Sequence, residues 1–164
     1  MAPGGPARPT VPHDGPGMMD RVQYSFRGSW TVAFPLERVH GLLVDLERYP
    51  EWWPQVRAVA SLGEDDAMVV CRSALPYSLD LHLHAERRDP THLEISLSGD
   101  LRGTARWYLA DLGPETRMDF EQDVEVTGRF LRLASSAGRP LLSWNHERMM
   151  RGCVTGLRAR LAGP

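Results

Sequence analysis

The stretch PLLSWNHERMMRGCVTGLRARL, from Pro140 to Leu161, decides the fold. At about 100° per residue, Leu142, His146, Met149, Cys153 and Leu157 fall on one side of a helix. Met150, Val154 and Leu161 flank them on one edge, Asn145 and Gly156 on the other. Glu147, Arg148, Arg151, Thr155 and Arg158 face away. Pro140 suits the first turn, where its missing N–H has no intrahelical partner to lose. Such a helix is roughly 33 Å long, the length of a strand of about ten residues, so it can lie along a whole sheet.

Upstream, the pattern changes to period two. Arg21 to Val32 alternates Val22, Tyr24, Phe26, Gly28, Trp30 and Val32 against Gln23, Ser25, Arg27, Ser29 and Thr31. Pro35 then sits where a helix would start, and Leu36, Val39, Leu42, Leu43 and Leu46 follow at helical spacing. Tyr49-Pro50 is expected to end that helix, because the residue before a proline avoids the α region. Glu51 to Pro54 reads as a second short helical turn.

Six strand-like runs come next: Gln55–Leu62, Ala67–Leu75, Pro76–Arg87, His92–Ser98, Leu101–Leu112 and Thr116–Val126. The cleanest sets Tyr77, Leu79, Leu81, Leu83 and Ala85 against Ser78, Asp80, His82, His84 and Glu86. The last sets Met118, Phe120, Gln122, Val124 and Val126 against five charged residues. Short turns such as Gly63–Asp66, Asp89-Pro90 and Gly113-Pro114 make the neighbours antiparallel. Alternation implies one covered face and one wet face. A single amphipathic helix covers only part of a seven-stranded face, so the sheet must curl around it. The expected class is α+β: a helix-grip fold, with a curved seven-stranded antiparallel sheet wrapped around a long C-terminal helix and two short helices after the first strand. Arg129–Ala134 can form a further helical turn.

Composition limits the function classes. The 164 residues suit one domain, and a formal charge of −2 gives no electrostatic reason to expect nucleic acid. There is no Lys at all, which suggests a GC-rich, bacterial coding sequence. Cys71 and Cys153 match no metal or redox spacing and read as reduced thiols in a cytoplasmic protein. No run is apolar for long enough to span a bilayer as a helix. Residues 1–19, rich in Pro and Gly, read as a disordered tail, and residues 20–164 as the domain.

The strand, then FPLERVHGLLVDLERYPEWWPQV at 34–56, then six strands and a closing helix resembles the SRPBCC (START-like) superfamily. The likeness is to bacterial polyketide cyclase/dehydratase-type and coenzyme Q-binding START-like proteins. Its most specific piece is Tyr49-Pro50-Glu51-Trp52-Trp53-Pro54. The resemblance implies a cavity between sheet and helix, and a role in binding or processing apolar small molecules.

The inward positions nominate the lining of that cavity. Tyr77, Leu79, Leu81, Trp107, Phe120 and Met149 are large and apolar or aromatic, and Gln122, Asn145 and His146 supply polar groups among them. A dry void of about 400 Å³ would cost on the order of 10 kcal/mol, so such a space would hold water or a ligand. His146 is the candidate catalytic residue, able to move a proton or hydrogen-bond a carbonyl. With no nucleophile or carboxylate at a recognisable spacing to complete a catalytic set, it reads more readily as a histidine satisfied by a backbone carbonyl or by Asn145. Trp52 and Trp53 either gate the cavity or plug the core and cover the sheet rim. His82, His84 and Glu86 share the wet face and read as solvated rather than metal-binding. Gly152 and Gly156 read as points of close approach to the sheet.

Three functions follow. The first is a carrier or sensor for a lipid, quinone or polyketide-like molecule, with no cofactor, no metal and no integral membrane segment. The second is an aromatase/cyclase that folds and dehydrates a poly-β-ketone. The resemblance implies an arginine in such a pocket, yet Arg102, Arg106 and Arg117 fall outward, with Arg72 undecided. The third is an interaction domain that meets a protein partner through exposed Trp or Arg.

Overall fold

The computed structural model describes residues 22–127 and 138–164. The expected tail at 1–19 and the expected turn at Arg129–Ala134 lie outside the described residues. The strands are β1 (Val22–Val32), β2 (Val56–Ser61), β3 (Asp66–Cys71), β4 (Leu79–Asp89), β5 (His92–Gly99), β6 (Leu101–Asp111) and β7 (Thr116–Val126). The helices are α1 (Leu36–Val44), α2 (Tyr49–Trp52) and α3 (Arg139–Ala162), with a single 3₁₀ turn at Leu46–Arg48.

All seven strands form one antiparallel sheet in the order β1-β7-β6-β5-β4-β3-β2. β1 is paired to β7 along its whole length, from Val22 opposite Val126 to Val32 opposite Thr116. The sheet curves around α3, as the covering argument requires. The alternating residues of β7 from Thr116 to Val126 are all buried at even positions, as are Ala105, Trp107 and Leu109 of β6. From α3, Asn145, Met150, Cys153, Val154, Leu157 and Leu161 are buried. Burial of that apolar stripe, at ~25 cal/mol per Å², is what holds the helix against the sheet.

Three local expectations are corrected. The first helix ends at Val44, because Asp45 leaves the helical region at φ −87° and ψ 70°. Pro50 then opens α2 rather than closing α1. Tyr49 keeps helical dihedrals despite the proline after it. Its hydroxyl donates to the Leu43 carbonyl at 2.6 Å, and its ring packs edge-on to Trp52. Second, β3 stops at Cys71 and β4 starts only at Leu79. Pro76 has no N–H for a ladder and constrains the residue before it, so the strands cannot meet nearer the turn. Third, Gly152 and Gly156 face the α2 region, not the sheet. A Cβ on Gly156 would collide with the Trp52 carbonyl oxygen, and one on Gly152 would meet the Gln55 side chain.

Among the described residues, no helix is long and apolar enough to cross a membrane.

Candidate functional site

Two adjoining cavities lie between the concave face of the sheet and the helices. The larger has a volume of about 390 Å³. Leu81, Leu83, Ile95, Ala105, Trp107 and Phe120 wall its interior. Its rim carries exposed Asp45 and Glu47 after α1, Glu64 and Asp65 in the β2–β3 turn, and Arg87 and Arg88 near the end of β4. The smaller cavity, about 120 Å³, lies against the N-terminal half of α3, between Tyr24, Phe26, Tyr77, Leu79, Asn145 and His146. Trp53, Cys71, Leu81, Phe120, Gln122 and Met149 line both and form the partition. An unfilled void of the larger size would cost on the order of 10 kcal/mol, rivalling the stability of a domain.

The structure brings all nine expected lining residues to these cavities. Tyr77, Leu79, Asn145 and His146 line the smaller one, Trp107 the larger, and Leu81, Phe120, Gln122 and Met149 both. Trp107 thus lines only the cavity that His146 does not. It stacks at a tilt on Phe120, with ring centroids 4.8 Å apart.

His146 is satisfied by Gln122 rather than by a backbone carbonyl or Asn145: its Nε2–H donates to Gln122 Oε1 at 3.0 Å. Its ring stacks on Phe26, with centroids 3.8 Å apart and planes 9° from parallel. Burial pushes its pKa down to about 4, so it is neutral at pH 7. Among the described residues no carboxylate lines the smaller cavity. A neutral, uncoupled imidazole is a hydrogen-bonding group; it is poorly placed to serve as an acid.

This burial has a testable consequence. The unfolded chain takes up the His146 proton near pH 6.5, and the folded chain only near pH 4. Stability is therefore expected to fall as pH drops through that window, by up to ~3 kcal/mol from this residue. Urea unfolding at pH 7 and pH 4.5, on the wild type and on His146→Gln, checks this. The variant should lose clearly less; equal losses would show that His146 is not the group responsible.

Sequence reasoning missed Trp53 as a lining residue. It lines both cavities, and its Nε1–H donates to the Met149 carbonyl at 3.1 Å. Trp52, by contrast, is buried in the core. Arg87 and Arg88 were also missed. A β-bulge between Ala85 and Arg87 leaves Glu86 unpaired and resets the alternation, so that Arg88 comes opposite Leu93 on the concave side. Arg88 pairs with Asp65 and Arg87 with Asp89. Arg72 is exposed, and Arg106 pairs with Glu94 and Asp123 on the convex face.

His82 and His84 do not meet Glu86. Both reach Asp66 Oδ1, at 2.9 and 3.0 Å, on the exposed side of β3 and β4. The hydrogen bond to Asp66 raises the His84 pKa. Among the described residues no group of three His, Cys, Asp or Glu is arranged to hold a metal. Cys71 and Cys153 are free and buried, and burial pushes the Cys71 thiol up to about 12.

The profile of a family described as "Polyketide cyclase / dehydrase and lipid transport" matches residues 23–162. No curated protein matches the sequence. Among solved structures, a START superfamily protein from Mycobacterium smegmatis is similar, with a TM-score of 0.71 at 18% identity, over 84% of this chain and 97% of that one. The Zhui aromatase/cyclase from Streptomyces sp. R1128 gives a TM-score of 0.71 at 15% identity, over 85% and 94% of the two chains. A conserved protein from Geobacillus kaustophilus gives 0.73 at 14% identity, over 85% and 95%. At these identities the likeness is one of fold.

Proposed function

This chain belongs to the polyketide cyclase / dehydrase and lipid transport family, and from that premise we propose that it binds an apolar small molecule, lipid-, quinone- or polyketide-like, in its internal cavity and acts as a carrier or sensor in the bacterial cytoplasm. The observation that carries this reading is the 390 Å³ cavity walled by Leu81, Leu83, Ile95, Ala105, Trp107 and Phe120. A drug-sized ligand is ordinarily taken by a concave, mostly apolar site with a few placed polar groups. Gln122, Asn145 and His146 are such groups.

The alternative is an aromatase/cyclase acting on a poly-β-ketone, supported by the fold shared with Zhui. It would need an acid and a base within reach of the substrate. His146 is the only histidine lining either cavity among the described residues, and it is neutral at pH 7 and bonded to Gln122. The two arginines lining the larger cavity are at its exposed rim, each paired with an aspartate. Binding without chemistry is the reading this arrangement favours.

The test is native mass spectrometry of the freshly purified full-length protein, followed by solvent extraction. A bound apolar molecule at a stoichiometry near one is expected. Protein that emerges empty, and takes up no apolar probe added in excess, would overturn the proposal.

A further inference from the structure

We infer that the molecule taken by this cavity is uncharged, an apolar body with a hydroxyl or carbonyl at its inner end, and that carboxylates and phosphate-bearing amphiphiles are excluded. The inference rests on the binding reading above and narrows its ligand class.

The inner end is the smaller cavity. Among the described residues no charged side chain lines it; its polar groups include Gln122, Asn145 and His146. Asn145 is only 7% exposed, and its buried Oδ1 has no hydrogen-bond partner among the described residues. A buried acceptor left this way costs roughly 1–3 kcal/mol, which a donor on a ligand would recover once the Asn145 amide turns toward the cavity. A hydroxyl is such a donor, and the side-chain amides of Gln122 and Asn145 can in turn donate to a carbonyl. Among the described residues an anion finds no counter-charge there. His146 is neutral at pH 7 and already bonded to Gln122 Oε1. Arg139 holds its guanidinium over the Tyr24 ring, 5.4 Å from its centroid, but is exposed and does not line the cavity.

The outer end reinforces this selection. Four exposed carboxylates, Asp45, Glu47, Glu64 and Asp65, stand at the rim of the larger cavity beside Arg87 and Arg88. Asp65 pairs with Arg88. No such pairing involves Asp45, Glu47 or Glu64 among the described residues. An anionic head therefore meets a rim of its own sign, and a buried one loses its water without a partner. Size is consistent with the inner end taking one ring: an engineered dry cavity of about 150 Å³ binds benzene, and this one measures about 120 Å³.

Isothermal titration at pH 7 with 2-naphthol, 2-naphthoate and 2-methylnaphthalene tests the inference on the full-length protein. The naphthol is expected to bind at least ~10-fold tighter than the naphthoate. It should also bind about 5- to 10-fold tighter than the methyl compound, and Asn145→Leu should abolish that second preference while leaving methylnaphthalene affinity within about 2-fold. Naphthoate binding as tightly as naphthol would overturn the inference and leave the binding reading standing. If none of the three binds, the binding reading itself falls.

Discussion

Replacing Gly156 by alanine is expected to destabilise the protein by about 3 kcal/mol or more. Helix propensity alone predicts the opposite sign, since Ala is favoured over Gly by ~1 kcal/mol in a helix interior. The contact decides. A Cβ at this position would collide with the Trp52 carbonyl oxygen, which is backbone and cannot rotate away. Either α3 must move off α2 or the Tyr49–Trp52 turn must move. Both displacements disturb Trp53, whose ring is tied to the α3 backbone at Met149 and which lines both cavities. Gly152→Ala supplies the contrast. There the added carbon meets only the end of the flexible Gln55 side chain, so the change is expected within about 1 kcal/mol of neutral, with the propensity gain offsetting the rearrangement. Chemical unfolding of the two variants checks both. If Gly156→Ala is stabilising, the close approach of α3 to α2 is wrong.

The contrast between these glycines illustrates what a sequence carries and what it does not. The strand phases were legible, because a period of two over ten residues has one physical reading when a single face is covered. So was the stripe of α3 from Leu142 to Leu157. The curvature followed from area alone, since one helix cannot cover seven flat strands. The helix break at Asp45 was not legible: nothing about an aspartate forces it, whereas Pro50 offered a louder and misleading signal. Arg87 and Arg88 were misplaced because one unpaired residue at Glu86 shifts all that follows. The nominated residues stand at inward positions, but which of the two cavities each one lines depends on packing that neither a strand phase nor a helix stripe encodes. The bond from His146 to Gln122 joins α3 to β7, and no spacing rule relates those elements.

The second large effect concerns occupancy. Ala105→Phe is expected to weaken binding of any molecule that fills the larger cavity by at least ~100-fold, with little loss of stability. Ala105 lies on the concave face of β6, opposite Ile95 on one side and Gln122 on the other. It lines the 390 Å³ cavity beside Trp107 and Phe120. In a packed core the added ring would cost typically 1–3 kcal/mol of strain. Here it has space to enter and apolar neighbours to meet, so thermal or urea stability should hold or rise. A loss of several kcal/mol would mean that the space is not there.

The most direct measurement of the central claim is a titration of wild type and Ala105→Phe with a neutral, environment-sensitive apolar dye, with both proteins first shown to be folded by circular dichroism. Saturable binding at one dye per wild-type chain, and its near-complete loss in the variant, is the predicted result. Equal binding by the two proteins, or none by the wild type, would contradict it.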